Sequence, residues 1–173
     1  MLITSITGVS LITNFMYLDT RGLFSKLVSS LKLQELNLSE GIREISYSQN
    51  KIKGTFRGFH GSPVSSNEYK FVSCISGGVQ DYVIDFRKQS DTYLDHVSIE
   101  LSDKVAKTLL IPPGCLHGYL TLEDSTTLVY GMTAEFNEEI EVGVRFDDPK
   151  IGINLPSPIE QISQKDLSYE YLH

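Results

Sequence analysis

Two histidines of this chain lie in short segments whose composition could support proton transfer. In residues 54–63, GTFRGFHGSP, Arg57 and His60 stand three residues apart among aromatic residues and glycines. In residues 111–118, IPPGCLHG, His117 follows an apolar residue, two prolines and a glycine. Because imidazole titrates near neutral pH, either histidine could act as a general base. Taken alone, however, His60 fits a core or rim position of a strand better than a catalytic one.

The same two histidines are weak candidates for a metal centre. Metal sites built from imidazole and carboxylate need several ligands that converge on one ion. The chain has only four histidines, one of them is the C-terminal His173, and none follows His60 two residues later. A two-histidine site from His60 and His117 is conceivable, but we predict a site with neither metal nor cofactor. A Cys115–His117 nucleophile is also disfavoured, because nothing in the sequence indicates an activated thiol.

Strands of a small β-protein are the elements that would position these histidines. Apolar and polar residues alternate with period two in several short segments, which is typical of half-buried strands. The segments are residues 70–75, 80–86, 96–101, 108–111 and 127–132, and turn-forming residues separate them. Many short strands joined by tight turns predict an all-β sandwich or barrel.

Two further patterns lie outside these strands. The i, i+3, i+4, i+7 spacing of a short helix appears near the N-terminus, at Phe24, Leu27, Val28 and Leu31. From Asp147 onward, closely spaced prolines and a glycine predict a tail that wraps the barrel as loops and single turns. Neither a repeat nor a linker interrupts the chain, so residues 1–173 are predicted to form one domain.

Length and charge limit what the protein could bind. The 173 residues suffice for one domain with a sizeable core. The formal net charge of -7 argues against nucleic acid as a partner, because sequence-independent binding needs a basic face. The two cysteines are far apart and the N-terminus does not read as a secretory leader, which favours free thiols in the cytoplasm. The sequence has no run of about 18 apolar residues, so we expect no membrane span.

The segment that contains His117 carries a family resemblance. Its P-x-G-x-x-H spacing is similar to the second motif of the cupin superfamily, whose fold is a small jelly roll with the site inside the barrel. Together with R-G-F-H in the earlier segment, it resembles the dTDP-4-dehydrorhamnose 3,5-epimerase family. Matching segments appear in family order at residues 19–24, 54–60, 70–72, 83–87, 111–117, 128–130, 143–149 and 164–166. The resemblance implies an all-β fold, namely a cupin-type jelly-roll barrel with one short N-terminal helix and a C-terminal wrapping tail.

The resemblance also implies roles for individual residues. His60 matches the family's base, and Asp166 matches the carboxylate that orients and charges this histidine. Tyr130 matches the acid that returns a proton from the opposite face, and Lys70 matches a lysine near the substrate's keto oxygen. Further residues expected to bind the substrate are Arg21, Phe24, Lys26, Glu44, Ser46, Arg57, His117, Phe136 and Lys165.

These residue types suit proton removal next to a ketone. A carbon-bound hydrogen can be removed when the base is poised near neutrality and positive charge meets the developing enolate oxygen. The resemblance therefore implies an epimerase of a nucleotide-diphosphate-linked 4-keto-6-deoxy sugar that inverts C3, C5 or both. Family members commonly exchange an N-terminal strand between protomers. We accordingly expect a homodimer in which part of the nucleotide site comes from the partner chain.

Several residues depart from the family pattern around the expected nucleotide site. Residues 61–63, Gly-Ser-Pro, follow His60 where the family commonly has an aromatic residue and a glutamine. A glutamate, a glutamine, an asparagine and a tyrosine of the family are replaced by Lys26, Glu44, Ser46 and Phe136. These changes spare the proton-transfer residues. We therefore hypothesise a CDP- or GDP-linked substrate, or epimerisation at one carbon only.

Two other functions are compatible with the sequence. A 3,4-ketoisomerase of nucleotide-linked sugars has a related barrel and would move the keto group along the ring without inverting a stereocentre. A non-catalytic cupin that binds a sugar nucleotide would need the barrel but would not need His60, Asp166 and Tyr130 together. Substrate-dependent hydrogen exchange with solvent would separate the binding protein from the enzymes.

Overall fold

The polypeptide folds mainly into β-strands. The computed structural model describes residues 2–38 and 41–173. Its strands are β1 (Leu2–Ile3), β2 (Ser10–Thr13), β3 (Phe15–Asp19), β4 (Gly22–Lys26), β5 (Glu44–Asn50), β6 (Phe56–Gly61), β7 (Lys70–Ser76), β8 (Gly78–Asp85), β9 (His96–Ser102), β10 (Lys107–Ile111), β11 (Cys115–Thr121), β12 (Thr126–Met132) and β13 (Val142–Gly143). The helices are α1 (Ser30–Glu35) and α2 (Gln164–Ser168), with 3-10 turns at Val64–Ser66 and Glu138–Ile140. The predicted all-β class is confirmed.

Two antiparallel sheets form the body of the fold. One has the strand order β1-β2-β10-β7-β12-β5, and the other has the order β13-β6-β11-β8-β9. Buried apolar side chains from both sheets form a shared core, with Val72 and Leu128 from the first sheet and Val83 and Leu101 from the second. Within the described chain, β3 and β4 pair only with each other, as a separate hairpin. Two packed antiparallel sheets are the architecture of a jelly roll.

Strand β5 has polar residues on its inner face and apolar residues on its outer face. Its residues Glu44, Ser46 and Ser48 are half-buried, whereas Ile45 and Tyr47 are 75% and 74% exposed. Successive side chains of a strand point to opposite faces of the sheet. The three polar residues therefore face the barrel interior, and the interior at this end offers hydrogen-bonding groups in place of an apolar core.

The predicted N-terminal helix is present, but it begins later than its periodicity indicated. Phe24 lies in β4, and α1 begins only at Ser30. Ser29 caps α1 by accepting a hydrogen bond from a backbone N–H of the first turn. Leu33 is the buried apolar residue of this helix, whereas Leu31 is 69% exposed. The prediction of helix at residue 24 was wrong, because β3 and β4 satisfy each other's backbone hydrogen bonds and tertiary pairing outweighs the local pattern.

The C-terminal tail wraps the outer face of the five-stranded sheet, as predicted. Apolar tail residues, including Ile151, Ile159 and Ile162, pack against Phe56 and Leu116 of that sheet. The tail contains one short helix, α2, which lies close to β6. No helix in the described part of the chain is long and apolar enough to cross a membrane.

Candidate active site

A cavity of about 460 Å³ lies at the end of the barrel where β5 and β7 begin and β12 ends. Side chains from both sheets, from the tail and from the segment before β13 line it. Most of the residues singled out in the sequence meet here. They are Glu44, Ser46, Arg57, His60, Lys70, His117, Tyr130, Phe136, Lys165 and Asp166. The cavity is therefore the candidate active site.

Three residues of the sequence-based set do not line this cavity in the described structure. Arg21, Phe24 and Lys26 lie on the β3–β4 hairpin. The Arg21 guanidinium pairs with Asp19, and its side chain is 84% exposed. The Lys26 ammonium lies over the Phe15 ring, 5.4 Å from the ring centroid. In one copy of the chain these residues are therefore separate from the cavity, and their expected role in substrate binding stays a prediction.

A bulge in β6 turns both Arg57 and His60 towards the cavity. Residues three apart point to opposite faces of a regular strand. Across from β11, however, Arg57 pairs with Tyr119 and His60 pairs with His117, so β6 has one extra residue over this interval. Gly58 lies in the bulge with φ +122°, and a Cβ there would come within 2.7 Å of the His117 carbonyl oxygen. The glycine of R-G-F-H thus permits the close approach that brings two site residues to one face.

Two carboxylates flank the His60 imidazole. The distance from His60 Nδ1 to Glu141 Oε1 is 3.5 Å, and the distance from His60 Nε2 to Asp166 Oδ1 is 3.9 Å. Lys165 binds the other carboxylate oxygen of Glu141, and the Tyr169 hydroxyl donates to that oxygen over 3.2 Å. Glu141 is thereby fixed beside the ring, and it lies nearer to the ring than the predicted Asp166.

Burial lowers the pKa of His60 below its ordinary value, although Glu141 and Asp166 partly oppose this shift. The imidazole is therefore mostly neutral at neutral pH and keeps a lone pair for proton abstraction. Burial also raises the pKa of Glu141, but Lys165 and His60 outweigh it and leave that pKa below its ordinary value. Asp166 raises the pKa of His60, as expected, but by less than burial lowers it. The net shift of this pKa is therefore downward.

A buried carboxylate on the neighbouring strand orients His117. The His117 Nε2 atom lies 2.9 Å from Asp81 Oδ2, and Asp81 has no exposed surface. Burial raises the pKa of Asp81, and the contact with His117 opposes that shift. The His117 ring packs edge-on against Tyr130, with 6.3 Å between the ring centroids. The imidazole is thus a positioned wall of the cavity.

Tyr130 enters the cavity from the six-stranded sheet, whereas β6 belongs to the other sheet. Its hydroxyl lies 3.0 Å from Ser48 Oγ, which lies 2.9 Å from the Tyr119 hydroxyl. The Tyr119 hydroxyl and Arg57 Nε both donate to Asn50 Oδ1, over 3.3 Å and 3.0 Å. Burial raises the pKa of Tyr130 well above its ordinary value. The phenol therefore keeps its proton, and a chain of hydrogen bonds orients it.

Residues of the Gly61-Ser62-Pro63 segment do not line the cavity of the described structure, and each has a local structural role. A Cβ at Gly61 would come within 2.5 Å of the Cys115 carbonyl oxygen, because β6 and β11 approach closely here. Pro63, with φ -65°, precedes the 3-10 turn that follows β6. The Ser62 hydroxyl donates to the buried carboxylate of Glu68. This departure from the family pattern shapes the turn beside the site.

Several residues of the site were not anticipated from the sequence. Glu68 and Glu141 lie in irregular segments, where no periodicity distinguishes a cavity residue from a solvated one. Ser48 continues the period-two alternation of β5, which was the available signal for it, whereas β11 is buried along its whole length and gave no such signal for Tyr119. Asp81 stands out as an acidic residue within an apolar strand. Such a residue is costly to bury without a partner, and its partner is His117.

Metal and thiol chemistry were both considered for the sequence. The described residues contain no group of three or more histidine, cysteine, aspartate and glutamate side chains that could hold a metal ion. The site without metal or cofactor stays a prediction. Cys74 and Cys115 are free and buried. Burial raises the pKa of the Cys115 thiol to about 12, so little thiolate exists at neutral pH and the residue does not suit a nucleophile.

Sequence relatives of the chain are named as epimerases of dTDP-4-dehydrorhamnose. The family model described as dTDP-4-dehydrorhamnose 3,5-epimerase matches residues 3–173. A dTDP-4-dehydrorhamnose 3,5-epimerase from Methanothermobacter thermautotrophicus is 33% identical over 172 residues, which cover 98% of this chain and 92% of the relative. One from Sinorhizobium fredii is 34% identical over 165 residues, which cover 95% of this chain and 85% of the relative.

Solved structures agree with these relatives. An epimerase from Mycobacterium tuberculosis has a TM-score of 0.91 at 27% identity, with 98% of this chain and 86% of that chain covered. A 3,5-epimerase from Legionella pneumophila, solved with dTDP-4-keto-L-rhamnose, has a TM-score of 0.90 at 28% identity, with 98% and 90% covered. The predicted cupin-type fold and the predicted epimerase class are confirmed. The chain belongs to the dTDP-4-dehydrorhamnose 3,5-epimerase family.

Proposed function

We propose that this chain epimerises a nucleotide-diphosphate-linked 4-keto-6-deoxy sugar, with His60 as base and Tyr130 as acid. One observation carries the proposal, namely that the two side chains line the same cavity from different sheets. A flat enolate between them would meet a neutral imidazole on one face and a protonated phenol on the other. A base on one face and an acid on the other can together invert the carbon between them. The names of the relatives support the substrate class.

In the proposed reaction, His60 removes a proton from the carbon next to the C4 ketone. The electron pair of the broken C–H bond forms the C=C bond of an enolate, and the carbonyl oxygen takes the negative charge. Lys70 meets this oxygen with positive charge, while Asp166 and Glu141 stabilise the imidazolium. Tyr130 then donates its proton to the opposite face of the carbon. Proton exchange with solvent resets both side chains.

Deuterium incorporation in heavy water tests the proposed function. The wild-type chain is incubated with a 4-keto-6-deoxyglucose linked to dTDP, CDP or GDP, and deuterium at C3 and C5 is measured by NMR. We expect incorporation with inversion at one or both carbons for at least one of these sugars. Movement of the keto group to C3 would indicate the 3,4-ketoisomerase instead. Absence of incorporation with all three sugars would contradict an epimerase and favour a binding protein.

We further propose that the nucleotide carries an exocyclic amino group, as CDP and GDP do. Glu44 lines the cavity and accepts hydrogen bonds from the Phe136 backbone N–H at 2.9 Å and the Ser46 hydroxyl at 2.8 Å. These hydrogen bonds lower the pKa of Glu44 below its ordinary value. An ionised carboxylate only accepts hydrogen bonds. Cytosine and guanine offer an amino group to such an acceptor, whereas thymine offers only its ring N3–H.

Binding isotherms with dTDP, CDP and GDP check the nucleotide. We expect CDP or GDP to bind about tenfold more tightly than dTDP, since a hydrogen bond to a charged group is worth roughly 1.5 kcal/mol or more. Glu44→Gln should reduce the difference, because an amide both donates and accepts. A clear preference of the wild-type chain for dTDP would contradict this part of the proposal and leave the reaction chemistry untouched.

We also propose a homodimer in which each β3–β4 hairpin packs along β5 of the other chain. The hairpin exposes apolar side chains such as Phe15 at 58% and Leu18 at 64%. Ile45 and Tyr47 on the outer face of β5 are exposed as well, and β5 is the end strand of its sheet. Exposed apolar surface beside a sheet edge is typical of an interface. Such an exchange would bring Phe24 of one chain towards the cavity of the other.

The molar mass in solution tests the dimer. We expect light scattering to give twice the chain mass of 19.4 kDa for the wild type. The double substitution Ile45→Glu and Tyr47→Glu should yield monomers, because it places charge in the buried part of the interface. Val64→Glu is the matched control, since Val64 is 57% exposed and lies outside these strands. A wild-type chain that remains monomeric at micromolar concentration would contradict the proposal.

The proposed location is the cytoplasm, where keto-sugar nucleotides would be available to the enzyme. Cys74 and Cys115 are both free, which is the usual state of cysteines in reducing compartments. Fractionation of cells that express the full chain, followed by detection with an antibody, would check this location.

A further inference from the structure

Glu68 and Ser62 make a buried contact beside Lys70 that the proposed mechanism does not use. The Glu68 side chain is 6% exposed and lines the cavity. Its Oε2 atom accepts a hydrogen bond from the Ser62 hydroxyl. Its Oε1 atom lies 3.6 Å from the Lys70 ammonium nitrogen. A buried carboxylate without partners would be costly, and here each oxygen has a different one.

Backbone contacts hold Glu68 in this position. Its N–H donates to Ser66 Oγ over 3.2 Å, and the Ser66 hydroxyl donates to the Pro63 carbonyl oxygen over 2.8 Å. The Ser62 carbonyl oxygen accepts a hydrogen bond from the Gly114 N–H over 3.2 Å. Hydrogen bonds therefore hold the turn after β6 at its start, Ser62, and at its end, Glu68. Both the backbone N–H and the carboxylate of Glu68 are held in this way.

Lys70 has a second acidic neighbour, Glu44, which also lines the cavity. Together with hydrogen bonds from Phe136 and Ser46, the charge of Lys70 contributes to the lowered pKa of Glu44. Lysine is a point charge on a flexible four-carbon stem. Without a fixed partner, the ammonium would move between solvent and the reacting oxygen. A carboxylate held in place on one side restricts this movement.

We propose that Glu68 is a positioning residue that aims the Lys70 ammonium at the substrate's keto oxygen, and that Ser62 fixes Glu68 for this purpose. The inference rests on the proposed function, in which that oxygen becomes an enolate. A cation that is already in place stabilises the developing charge without reorganisation. Because the gain arises in the transition state, losing it lowers kcat and leaves KM nearly unchanged.

A double-mutant cycle between Glu68 and Lys70 tests the proposal. Glu68→Gln keeps the size of the side chain and a partner for Ser62, but it removes the charge. We expect Glu68→Gln to lower kcat about tenfold with KM within about threefold, a coupling typical of residues in contact. In a Lys70→Met background the same change should alter kcat less than about twofold, because no ammonium remains to be positioned. Ser62→Ala should lower kcat in the same direction by a smaller factor.

Glu123→Gln is the matched control. It breaks an exposed Glu–Lys pair, 2.9 Å from Lys104, outside the cavity, and it should leave kcat unchanged. Equal losses from Glu68→Gln with and without Lys70 would overturn the inference, because Glu68 would then act on the substrate or on the fold. An unchanged kcat in Glu68→Gln would overturn it as well.

Two further measurements keep the outcome interpretable. If Glu68→Gln fails to fold, the cycle is repeated with Ser62→Ala in both Lys70 backgrounds, and additive losses there overturn the inference. Deuterium incorporation by the wild-type chain is measured first with the three nucleotide-linked sugars. Failure of that reaction rejects the proposed function, whereas an additive cycle in an active enzyme rejects only the role of Glu68.

Discussion

Replacing His60 with asparagine is expected to abolish deuterium incorporation at C3 and C5 while the chain stays folded. Asparagine is similar in size to histidine but cannot take a proton from carbon near neutral pH. Removal of a general base commonly costs about 10² to 10⁴ in rate, and His60 is the imidazole that lies beside both Glu141 and Asp166 in the described structure. We expect a loss of about 10³ or more in the rate of exchange, measured by NMR in heavy water. Thermal unfolding should change little, because the His60 side chain is 33% exposed.

The matched control for this variant is His96→Asn. His96 is exposed on β9, so the same substitution there should leave exchange unchanged. Undiminished exchange in His60→Asn would remove His60 from the mechanism.

The pH profile gives a second measure of the His60 base. A base must be neutral to act, so kcat/KM should be constant above the pKa of His60 and fall as the pH drops through it. Burial lowers this pKa, so the acid limb should lie below the ordinary histidine value. Because Glu141 raises the pKa of His60, Glu141→Gln should move the limb to still lower pH. A limb that does not move would show that another group controls it.

Several strands could be predicted from the sequence because apolar and polar residues alternate along them, whereas β11, which is buried along its whole length, was not predicted. In β7 and β12, alternation alone gave the segments 70–75 and 127–132, and the observed strands begin or end only one residue away. The helix at Phe24 was misplaced because only Phe24 of this spacing lies in the hairpin, whereas Leu27 and Val28 are half-buried residues between β4 and α1. Only the pairing of β3 with β4 decides between helix and strand at Phe24, and this pairing is not local.

The candidate site was predictable mainly through the family resemblance, since its parts are distant in sequence. Asp166 meets His60 because α2 lies against β6, and nothing in the periodicity of either segment indicates that contact. The spacing of Arg57 and His60 was a local signal for a bulge. Two residues three apart in a strand share a face only when a bulge lies between them. Glu141 escaped notice because it stands in an irregular acidic segment where most carboxylates are solvated.

Residues 61–63, Gly-Ser-Pro, differ from the family pattern for a structural reason that the motif alone does not show. In the sequence this segment supported a changed substrate, because it directly follows the base. In the fold, Gly61 leaves room for the Cys115 carbonyl oxygen, and Pro63 precedes a 3-10 turn. Ser62 donates a hydrogen bond to the Glu68 carboxylate and does not line the cavity. Glu44, Ser46 and Phe136, in contrast, do line the cavity and can contact a changed nucleotide.

Replacing Tyr130 with phenylalanine is expected to separate proton removal from inversion. His60 would still take a proton and could return a deuteron to the same face of the carbon. In heavy water the variant should therefore form deuterated sugar of unchanged configuration, while inverted product falls by about 10² or more relative to the wild type. NMR distinguishes the two products. The fold should be retained, because Ser48 keeps its hydrogen bond with Tyr119 when the phenol is lost.

Tyr93→Phe is the matched control for Tyr130→Phe, since the Tyr93 ring packs on Phe86, 5.9 Å between centroids, outside the cavity. Inverted product formed at the wild-type rate would show that another acid, or water, protonates the far face.

The alkaline limb of the wild-type pH profile adds an independent test. An acid must carry its proton, so loss of the Tyr130 proton stops inversion only as the pH rises through the pKa of Tyr130, which burial raises well above its ordinary value. Ionisation of Tyr130 should therefore not limit inversion at moderately alkaline pH.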